Sequence, residues 1–160
     1  MKAGQGWTKS QTKKATQRGI AYDAILESSS DEVVRESIYA DRSFIRVALL
    51  NVLHNAVKFS ADHSTLRVIY ENFERDGKPF HRVCVHDSGP GIAPGEHLRV
   101  FERFFSGSLH QTPAQHGAGL GLSIAKLVID RCGGRIYFDG TAVQGAKCYV
   151  ELPLSPQRPT

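Results

Sequence analysis

The sequence predicts an α+β fold, or a mixed α/β layer, with helices on one face of a largely antiparallel sheet. Residues 41–60 carry a helical period with one apolar face, and residues 120–131 form a second amphipathic helix pattern that stops at a Gly-Gly pair. Short alternating segments, separated by turn residues, lie between and beside these two patterns. We therefore expect a single domain built from a sheet and a helical layer.

The elements before the first helix are expected to form a hairpin. Alternation over 19–25 and over 33–39 predicts two strands, and a serine-rich turn separates them. The second strand leads into the helix over 41–60. Asp41 or Ser43 is the expected N-cap, since short polar side chains accept hydrogen bonds from the first free amides of a helix.

The later elements follow from alternation, turn residues and glycine pairs. In chain order they are a strand over 66–73, a hairpin turn at Asp76-Gly77, a strand over 80–86, a short helix over 96–105, a polar loop over 106–116, a helix over 120–131, and strands over 135–139 and 146–152. The domain is expected to cover residues 19–155, followed by a tail over 156–160.

Composition and charge exclude several classes of protein. A chain of 160 residues with 41% hydrophobic and 22% charged residues suits one soluble globular domain. The net charge of +4 comes from residues 1–18, which contain five basic residues and no acidic one, so that 15 basic and 16 acidic residues remain elsewhere. We expect no nucleic-acid surface on the folded part. Residues 8–18 of this basic lead-in are compatible with a short helix, the end of a longer upstream one.

The sequence also predicts a cytoplasmic location without direct membrane contact, either as a free protein or as the cytoplasmic portion of a membrane-anchored one. No apolar run approaches the roughly 20 residues of a membrane span, and the N-terminus lacks the apolar region of a signal peptide. Cys84, Cys132 and Cys148 are odd in number and lack a CxxC spacing. Because all three lie among apolar residues, they are expected to be buried thiols in a reducing compartment rather than disulfides or zinc ligands.

An unusual polar stripe marks the helix over 41–60. Asn51, Asn55 and Lys58 lie at i, i+4 and i+7, with His54 beside them. One interpretation is an ordinary polar face. The other is a row of neutral oxygen ligands ending in a cation, which could hold a hydrated divalent metal and the phosphates that it bridges.

A strand-end aspartate followed by spaced glycines forms the second motif. Asp87 directly follows the strand over 80–86, and Gly89 and Gly91 come after it. The pattern is common in plain turns. In a binding site, the carboxylate would accept a hydrogen bond from an exocyclic amine, while the glycines would let a flat ring approach the backbone.

A glycine-rich segment opens the helix over 120–131. Gly117, Gly119 and Gly121 place backbone N–H groups where they can face an anion. A dinucleotide-binding loop is disfavoured, because a long polar loop rather than a strand precedes the glycines. The segment also lacks the lysine and hydroxyl residue that end a phosphate-binding P-loop.

Two further segments allow a structural and a functional interpretation. The Gly140–Gly145 loop joins the last two strands and is either a simple hairpin loop or a nucleotide contact. Phe101, Phe104 and Phe105 are more typical of a core, but their place before the polar loop also suits a lid hinge.

The order of these motifs resembles that of a known family. NVLHNAVKFS, DSGPGI, FERFF and GAGLGL resemble the N, G1, F and G2 boxes of the ATP-binding domain of sensor histidine kinases, and GTAVQGAKCYVELP is similar to that family's closing turn and strand. The resemblance covers about residues 19–155. The wider GHKL superfamily includes type II topoisomerases, HSP90 chaperones and mismatch-repair ATPases. It implies the Bergerat ATP-binding fold, a two-layer α/β sandwich with a mixed, mostly antiparallel sheet backed by about three helices.

The resemblance also implies ATP and Mg²⁺ as cofactors and assigns roles to single residues. Asn55 would coordinate Mg²⁺, Asn51 would support it, Lys58 would contact phosphate, and Asp87 would read the adenine amino group. Residues 106–116 would form a lid over ATP. The residues implied as catalytic are Asn51, Asn55, Lys58 and Arg103; those implied in nucleotide binding are Asp87, Gly89, Gly91, Ile92, Phe101, Gly117, Gly119, Leu120, Gly121, Leu122 and Thr141.

The kinase branch of the superfamily fits this sequence better than the hydrolytic branch. Asn51 stands where the hydrolytic relatives carry a water-activating glutamate, and a neutral amide is a poor general base. None of the seven histidines precedes the N box, the first being His54. We therefore expect the acceptor histidine on a separate dimerisation domain, and a response regulator downstream.

Two other interpretations remain open at this point. One is a non-catalytic module that signals through ATP occupancy, and the other is a serine/threonine kinase of the anti-sigma type. No Lys or Arg lies between Arg103 and Lys126, so Arg103 and Lys58 are expected to balance most of the phosphate charge with Mg²⁺. His110 and His116 are more typical of solvated loop residues.

Overall fold

The computed structural model describes residues 17–26, 37–38, 40–109, 117–142 and 144–155. The helix expected over 8–18 lies outside these residues except at its last two positions. The tail over 156–160 and most of the polar loop also lie outside them. Within the described part, no helix is long and apolar enough to cross a membrane.

Six strands form one mixed, mostly antiparallel sheet, as the sequence predicts. The strands are β1 Ala21–Leu26, β2 Ser37–Ile38, β3 Thr65–Arg75, β4 Lys78–His86, β5 Arg135–Phe138 and β6 Lys147–Ser155. Their order is β1-β3-β4-β6-β2, and β5 also pairs with β6. Strands β3 and β4 join through Asp76 and Gly77, both at positive φ, which confirms the expected hairpin turn. Strand β6 runs beyond the predicted range to Ser155.

The hairpin expected before the first helix is wrong, although both strands exist. Strand β1 pairs in parallel with β3, with Ala21 opposite Thr65. Strand β2 instead pairs with the end of β6, with Ile38 opposite Leu154. Alternation identifies a strand and its two faces but carries no information about its neighbour, so local turn residues were a poor guide here.

Two α-helices cover one face of the sheet and confirm the two-layer architecture. Helix α1 spans Arg42–Phe59, and Asp41 is its N-cap, accepting from the Ser43 amide at 2.7 Å. Helix α2 spans Gly121–Arg131. Their inner faces pack on the inward side chains of β3, β4 and β6. The core residues at this contact include Ala48, Val52, Ala56, Ala125, Ile129, Leu66, Val68, Val83, Val85, Val150 and Leu152.

The short helix predicted over 96–105 is wrong. A single 3₁₀ turn, Arg99–Phe101, forms there. Phe104 has a φ of 62°, which an α-helix does not allow, and its amide donates to the Gly119 carbonyl at 2.9 Å. This hydrogen bond ties the phenylalanine-rich segment to the start of α2 instead of continuing a helix.

A buried carboxylate organises the face of the sheet opposite the helices. Glu151 is 2% exposed and lies at the centre of β6. It accepts from Arg75 at 2.7 Å, from Arg82 at 2.9 Å and from the Tyr137 hydroxyl at 2.8 Å. Each arginine also lies over a phenylalanine ring, at 4.0 and 4.2 Å from the centroid. The network joins β3, β4, β5 and β6 through one acceptor.

We expect Glu151→Gln to lower the free energy of unfolding by about 2–3 kcal/mol, because it leaves two arginines without their buried partner. Burial raises the pKa of Glu151, but hydrogen bonds from Tyr137 and Arg82 and the arginine charges outweigh it, and the net shift is downward. The stability from Glu151 is therefore present above its ordinary pKa of 4.5. It is lost as the pH falls through the lower pKa of the folded state.

Urea unfolding of the unchanged chain and of Glu151→Gln, at pH values above and below 4.5, tests the expectation. Glu71→Gln is the matched control, since Glu71 is 32% exposed and bonds to Arg82. Its cost should stay below about 1 kcal/mol, as for exposed ion pairs. Equal losses for the two variants, or a Glu151→Gln loss that persists at low pH, would show that the carboxylate charge is unimportant.

Candidate functional site

Helix α1, the end of β4 and the start of α2 enclose a cavity of about 310 Å³. Its walls combine apolar strand residues with a small set of polar groups, as in many small-molecule sites. The predicted site residues that line it are Asn51, Asn55, Lys58, Asp87, Gly91, Ile92, Gly117, Gly119, Leu120, Gly121 and Leu122. The structure thus brings most of the sequence-predicted residues to one place.

The amide stripe of α1 faces this cavity. Val52 and Ala56, the next residues along the helix, are buried in the core and also line the cavity, which fixes the orientation of the helix. The Asn51 side-chain amide donates to the Val47 carbonyl at 3.0 Å. Its carbonyl oxygen, Oδ1, would lie 2.9 Å from a Cβ atom placed on Gly121. The start of α2 therefore packs directly against the oxygen of Asn51, and a larger residue at Gly121 would require the Asn51 side chain to move.

Asp87 is a buried carboxylate held by backbone amides. It is 8% exposed, and its Oδ1 accepts from the Gly89 amide at 2.9 Å and from the Ala146 amide at 3.1 Å. Burial raises the pKa of Asp87, although the two hydrogen bonds and nearby His86 oppose the shift. Because both amides reach Oδ1, the other oxygen remains the natural acceptor for a ligand.

The loop between β5 and β6 closes over Asp87. Gly145 has a φ of 70°, and a Cβ atom there would lie 1.9 Å from the Asp87 carbonyl oxygen. Such contact is impossible for any other residue, so glycine is required. The sequence allowed this loop to be a simple hairpin connection or a ligand contact. Its close approach positions Asp87.

Lys58 and the glycine-rich segment lie side by side. The Lys58 ammonium would be 2.9 Å from a Cβ atom on Gly117. Burial lowers the pKa of Lys58. Gly119 has a φ of 66° and packs on the Phe104 backbone, which brings the segment back toward α1. A cation and the first amides of a helix thus share one part of the cavity, an arrangement suited to anions.

Four predicted site residues are not part of the cavity lining. Arg103 is exposed, and Phe101 packs on Phe138 with ring centroids 5.6 Å apart. Gly89 lies against the Phe59 carbonyl at the end of α1. Thr141 donates its amide and hydroxyl to Asp139, at 2.8 and 2.7 Å. Their assigned roles stay predictions.

Several lining residues were not among the predicted site residues. They are Val52, His54, Ala56, Phe59, Val85, Pro90, Glu96, Val100, Phe105, Ser106, Gly107, Leu109, Ala118, Phe138, Ala146 and Cys148. The inward positions of β4 and β6 would have indicated Val85 and Cys148. No pattern indicated Glu96, whose carboxylate accepts from the Ser108 amide at 3.1 Å and so fixes the start of the polar loop.

Cys148 is a structural thiol in this wall. Cys84 and Cys148 are buried and Cys132 is half-buried, and all three are free thiols, as the sequence predicts. Burial raises the pKa of Cys148, so the thiolate needed for nucleophilic chemistry is disfavoured.

The structure is a two-layer sandwich whose cavity, between two helices and a strand end, is apolar apart from a few polar groups. Comparisons with known proteins identify the family. Residues 40–156 match the family described as histidine kinase-, DNA gyrase B-, and HSP90-like ATPase. The chain belongs to this family.

Similar curated proteins are sensor kinases. The chain is 36% identical over 126 residues to the sensor histidine kinase AruS of Pseudomonas aeruginosa. This match covers 78% of the chain and 12% of AruS. It is 32% identical over 143 residues to the hybrid signal transduction histidine kinase D of Dictyostelium discoideum, covering 89% of the chain and 9% of that protein. The chain therefore corresponds to a small part of these relatives.

Solved structures give the same family. A mycobacterial sensor histidine kinase, MprB, aligns with a TM-score of 0.71 and 30% identity, covering 93% of each chain. Full-length ShkA in complex with AMPPNP aligns with a TM-score of 0.69 and 31% identity, covering 93% of this chain and 28% of ShkA. The kinase ThkA in complex with the response regulator TrrA aligns at 0.66 and 25%, with coverages of 91% and 37%.

We expect Asp87→Asn to fold normally without nucleotide. The raised pKa of Asp87 means that its charged form disfavours folding, so this cost is absent at low pH and appears as the pH rises from 3.8 through the folded-state pKa. An asparagine keeps an oxygen for the two amides and carries no charge. The unfolding free energy of the variant should therefore equal or exceed that of the unchanged chain at about pH 7.

Urea unfolding at about pH 4 and about pH 7 measures this difference. Asp130→Asn is the control, because Asp130 is an exposed partner of Lys126 on α2. A large loss of stability in Asp87→Asn alone would mean that the charge of Asp87 holds the loops together.

Proposed function

We propose that this domain binds ATP with Mg²⁺ in the cavity and transfers the γ-phosphoryl group to a histidine on a separate dimerisation domain. One observation carries the proposal: Asn51, Asn55 and Lys58 on α1 share a cavity with Asp87 and with the glycines that open α2. The similarity to a kinase solved with AMPPNP supports a nucleotide as the ligand.

Asp87 would recognise the base. Its free oxygen can accept a hydrogen bond from the exocyclic amine of adenine, which guanine lacks at that position. Gly91 and Ile92 both line the cavity; Gly91 would let the ring approach the backbone, and Ile92 would supply an apolar surface. Gly89 would act from behind the pocket, by allowing the Asp87 turn to pack on the end of α1. Leu120, Leu122, Phe101 and Thr141 complete the predicted binding residues.

Asn55, supported by Asn51, would hold Mg²⁺. Mg²⁺ prefers oxygen ligands and keeps several waters, so a carboxamide and the phosphates suit it. Among the described residues, no group of three or more His, Cys, Asp or Glu side chains is placed to hold a metal, whereas Asn51 and Asn55 both line the cavity with their carboxamides. When bound, the ion would neutralise phosphate charge. Lys58 and the amides of Gly117, Gly119 and Gly121 would contact the phosphates.

The same site is poorly equipped for hydrolysis. Asn51 lines the cavity. By the family resemblance it would stand where the hydrolytic relatives carry a glutamate, and a neutral amide is a poor general base. Phosphoryl transfer to an incoming histidine requires mainly positioning and charge stabilisation, because the histidine is itself the nucleophile. Arg103 and a lid over 106–116 stay predictions within this mechanism.

The acceptor and the downstream partner belong to the same proposal. The acceptor would be a histidine of a dimerisation domain in the same or a partner kinase. A response regulator would then receive the phosphoryl group, and the complex of ThkA with TrrA supports this kind of partner.

The decisive experiment mixes the purified chain with a cognate dimerisation domain, γ-labelled ATP and Mg²⁺. Acid-labile label on that domain is expected, because a phosphorylated histidine carries a P–N bond. Acid-stable label would indicate a serine or threonine kinase, and binding without transfer would indicate a signalling module. The chain alone should hydrolyse ATP very slowly. Rapid steady-state turnover would contradict the kinase assignment and favour a hydrolase.

We expect Asn55→Ala to weaken Mg·ATP far more than free adenosine, whereas Asp87→Asn should weaken both. A hydrogen bond to a charged group is worth about 1.5–3 kcal/mol, so Asp87→Asn should cost roughly 10- to 150-fold in ATP affinity. It should also reduce the preference for ATP over GTP. Calorimetric titration with the three ligands measures each effect.

The two variants control for each other. Loss of adenosine and Mg·ATP to the same extent in Asn55→Ala would make Asn55 a structural residue. An unchanged ATP/GTP ratio in Asp87→Asn would remove Asp87 from base recognition.

A further inference from the structure

Arg18 makes an unusually dense set of contacts just before β1. Its guanidinium donates to the Val57 carbonyl at 2.6 Å, more weakly to the Lys58 carbonyl at 3.4 Å, and also to the Ser60 carbonyl. Its Nε donates to the Asp62 carboxylate at 2.6 Å. One side chain therefore binds three carbonyls at the end of α1. The planar fork of arginine can make such contacts together, whereas a lysine ammonium cannot.

Backbone contacts fix the same two segments to each other. The His63 amide donates to the Arg18 carbonyl at 3.0 Å, and the Ala21 amide donates to the Ser64 carbonyl at 2.8 Å. Gly19, at a φ of 64°, packs on the His63 ring so closely that a Cβ atom would lie 2.4 Å from it. Hydrogen bonds therefore join residues 18–21 to residues 57–64, and Arg18 provides the positive charge at this junction.

The end of α1 that Arg18 contacts, residues 57–60, also forms part of the cavity wall through Lys58 and Phe59. Lys58 projects from it toward Gly117, and the Phe59 carbonyl contacts Gly89, where a Cβ atom would lie only 2.4 Å away. Ser60 is 1% exposed. A small movement of this turn would displace the Lys58 ammonium and push on the loop that carries Asp87. The last carbonyls of a helix also carry partial negative charge, which a guanidinium stabilises.

We propose that Arg18 is a positioning residue for the nucleotide site, which couples the segment before β1 to the last turn of α1. This inference rests on the proposed function, because Lys58 is its route to the phosphates. Among the hydrogen bonds that Arg18 makes with described residues, the one to a residue of the cavity lining goes to the backbone carbonyl of Lys58. A change in the segment before β1 would thus alter phosphate binding without touching the ligand.

The test measures Mg·ATP and adenosine affinities of the full chain by calorimetry, well below the melting temperature of each variant. Arg18→Ala should weaken Mg·ATP about tenfold, the value of one charged hydrogen bond, and adenosine much less. Asp62→Ala is the matched control. It removes one exposed partner of Arg18 and leaves the three carbonyl contacts, so its effect should stay below about twofold.

A double-mutant cycle separates positioning from plain stabilisation. If Arg18 acts through Lys58, Arg18→Ala should lose most of its tenfold effect in a Lys58→Ala background. Independent, multiplying effects would overturn the proposed route. A lower melting temperature with unchanged Mg·ATP affinity would reduce Arg18 to a helix-capping residue and would also overturn the proposal.

Amide hydrogen exchange on the ligand-free chain makes the test independent of nucleotide binding. Arg18→Ala should accelerate exchange over residues 57–60 and 87–91, whereas unchanged exchange would overturn the clamp. If the unchanged chain fails to bind Mg·ATP, the proposed function fails, and with it the role of Arg18 in phosphate binding. If it binds normally and Arg18→Ala binds equally well, the Arg18 proposal alone fails.

Discussion

Two backbone amides that donate to one oxygen of Asp87 hold the functional part of this domain together. One amide, from Gly89, comes from the same turn, and the other, from Ala146, comes from the loop before β6. A buried carboxylate costs free energy unless such donors offset it. The Asp87 amide in turn donates to the Ala146 carbonyl at 3.0 Å, so the pairing of β4 with β6 continues into the site. The sheet therefore sets where the carboxylate lies.

Steric fit then links this carboxylate to both helices. Gly145 lets the β5–β6 loop lie on Asp87, Gly89 meets the end of α1, and Gly121 meets Asn51. The Gly145 and Gly89 contacts are with backbone atoms and leave no room for a Cβ atom, so the β5–β6 loop, the Asp87 turn and the end of α1 pack directly on one another. The Gly121 contact is with the Asn51 side chain and places the start of α2 against α1. These glycines in the sequence thus mark positions at which the chain packs closely around the cavity.

This explains which parts of the site the sequence could predict. Helical periodicity places Asn51, Asn55 and Lys58 on one face whatever the rest of the fold does, and the glycines report close approach directly. Strand pairing is harder to predict from the sequence, because β1 pairs with β3 and β2 pairs with β6 across long stretches of chain. The helix predicted over 96–105 is wrong for a similar reason, because the Phe104 amide donates a hydrogen bond to the Gly119 carbonyl, which is distant in sequence. Arg103 was assigned by motif, and its side chain is exposed.

The charge of the cavity limits how a polyphosphate can be held there. Among the described lining residues, Lys58 is the one Lys or Arg, while Asp87 and Glu96 are acidic. Burial lowers the pKa of Lys58, so the same enclosure that strengthens its field makes its charge harder to keep. The first amides of α2 add about half a positive charge. Under the proposed function, most of the balance has to come from the metal ion that accompanies ATP. Under the same proposal, triphosphate affinity depends on an ion that can leave with the nucleotide, which would suit a domain that exchanges ADP for ATP between transfers.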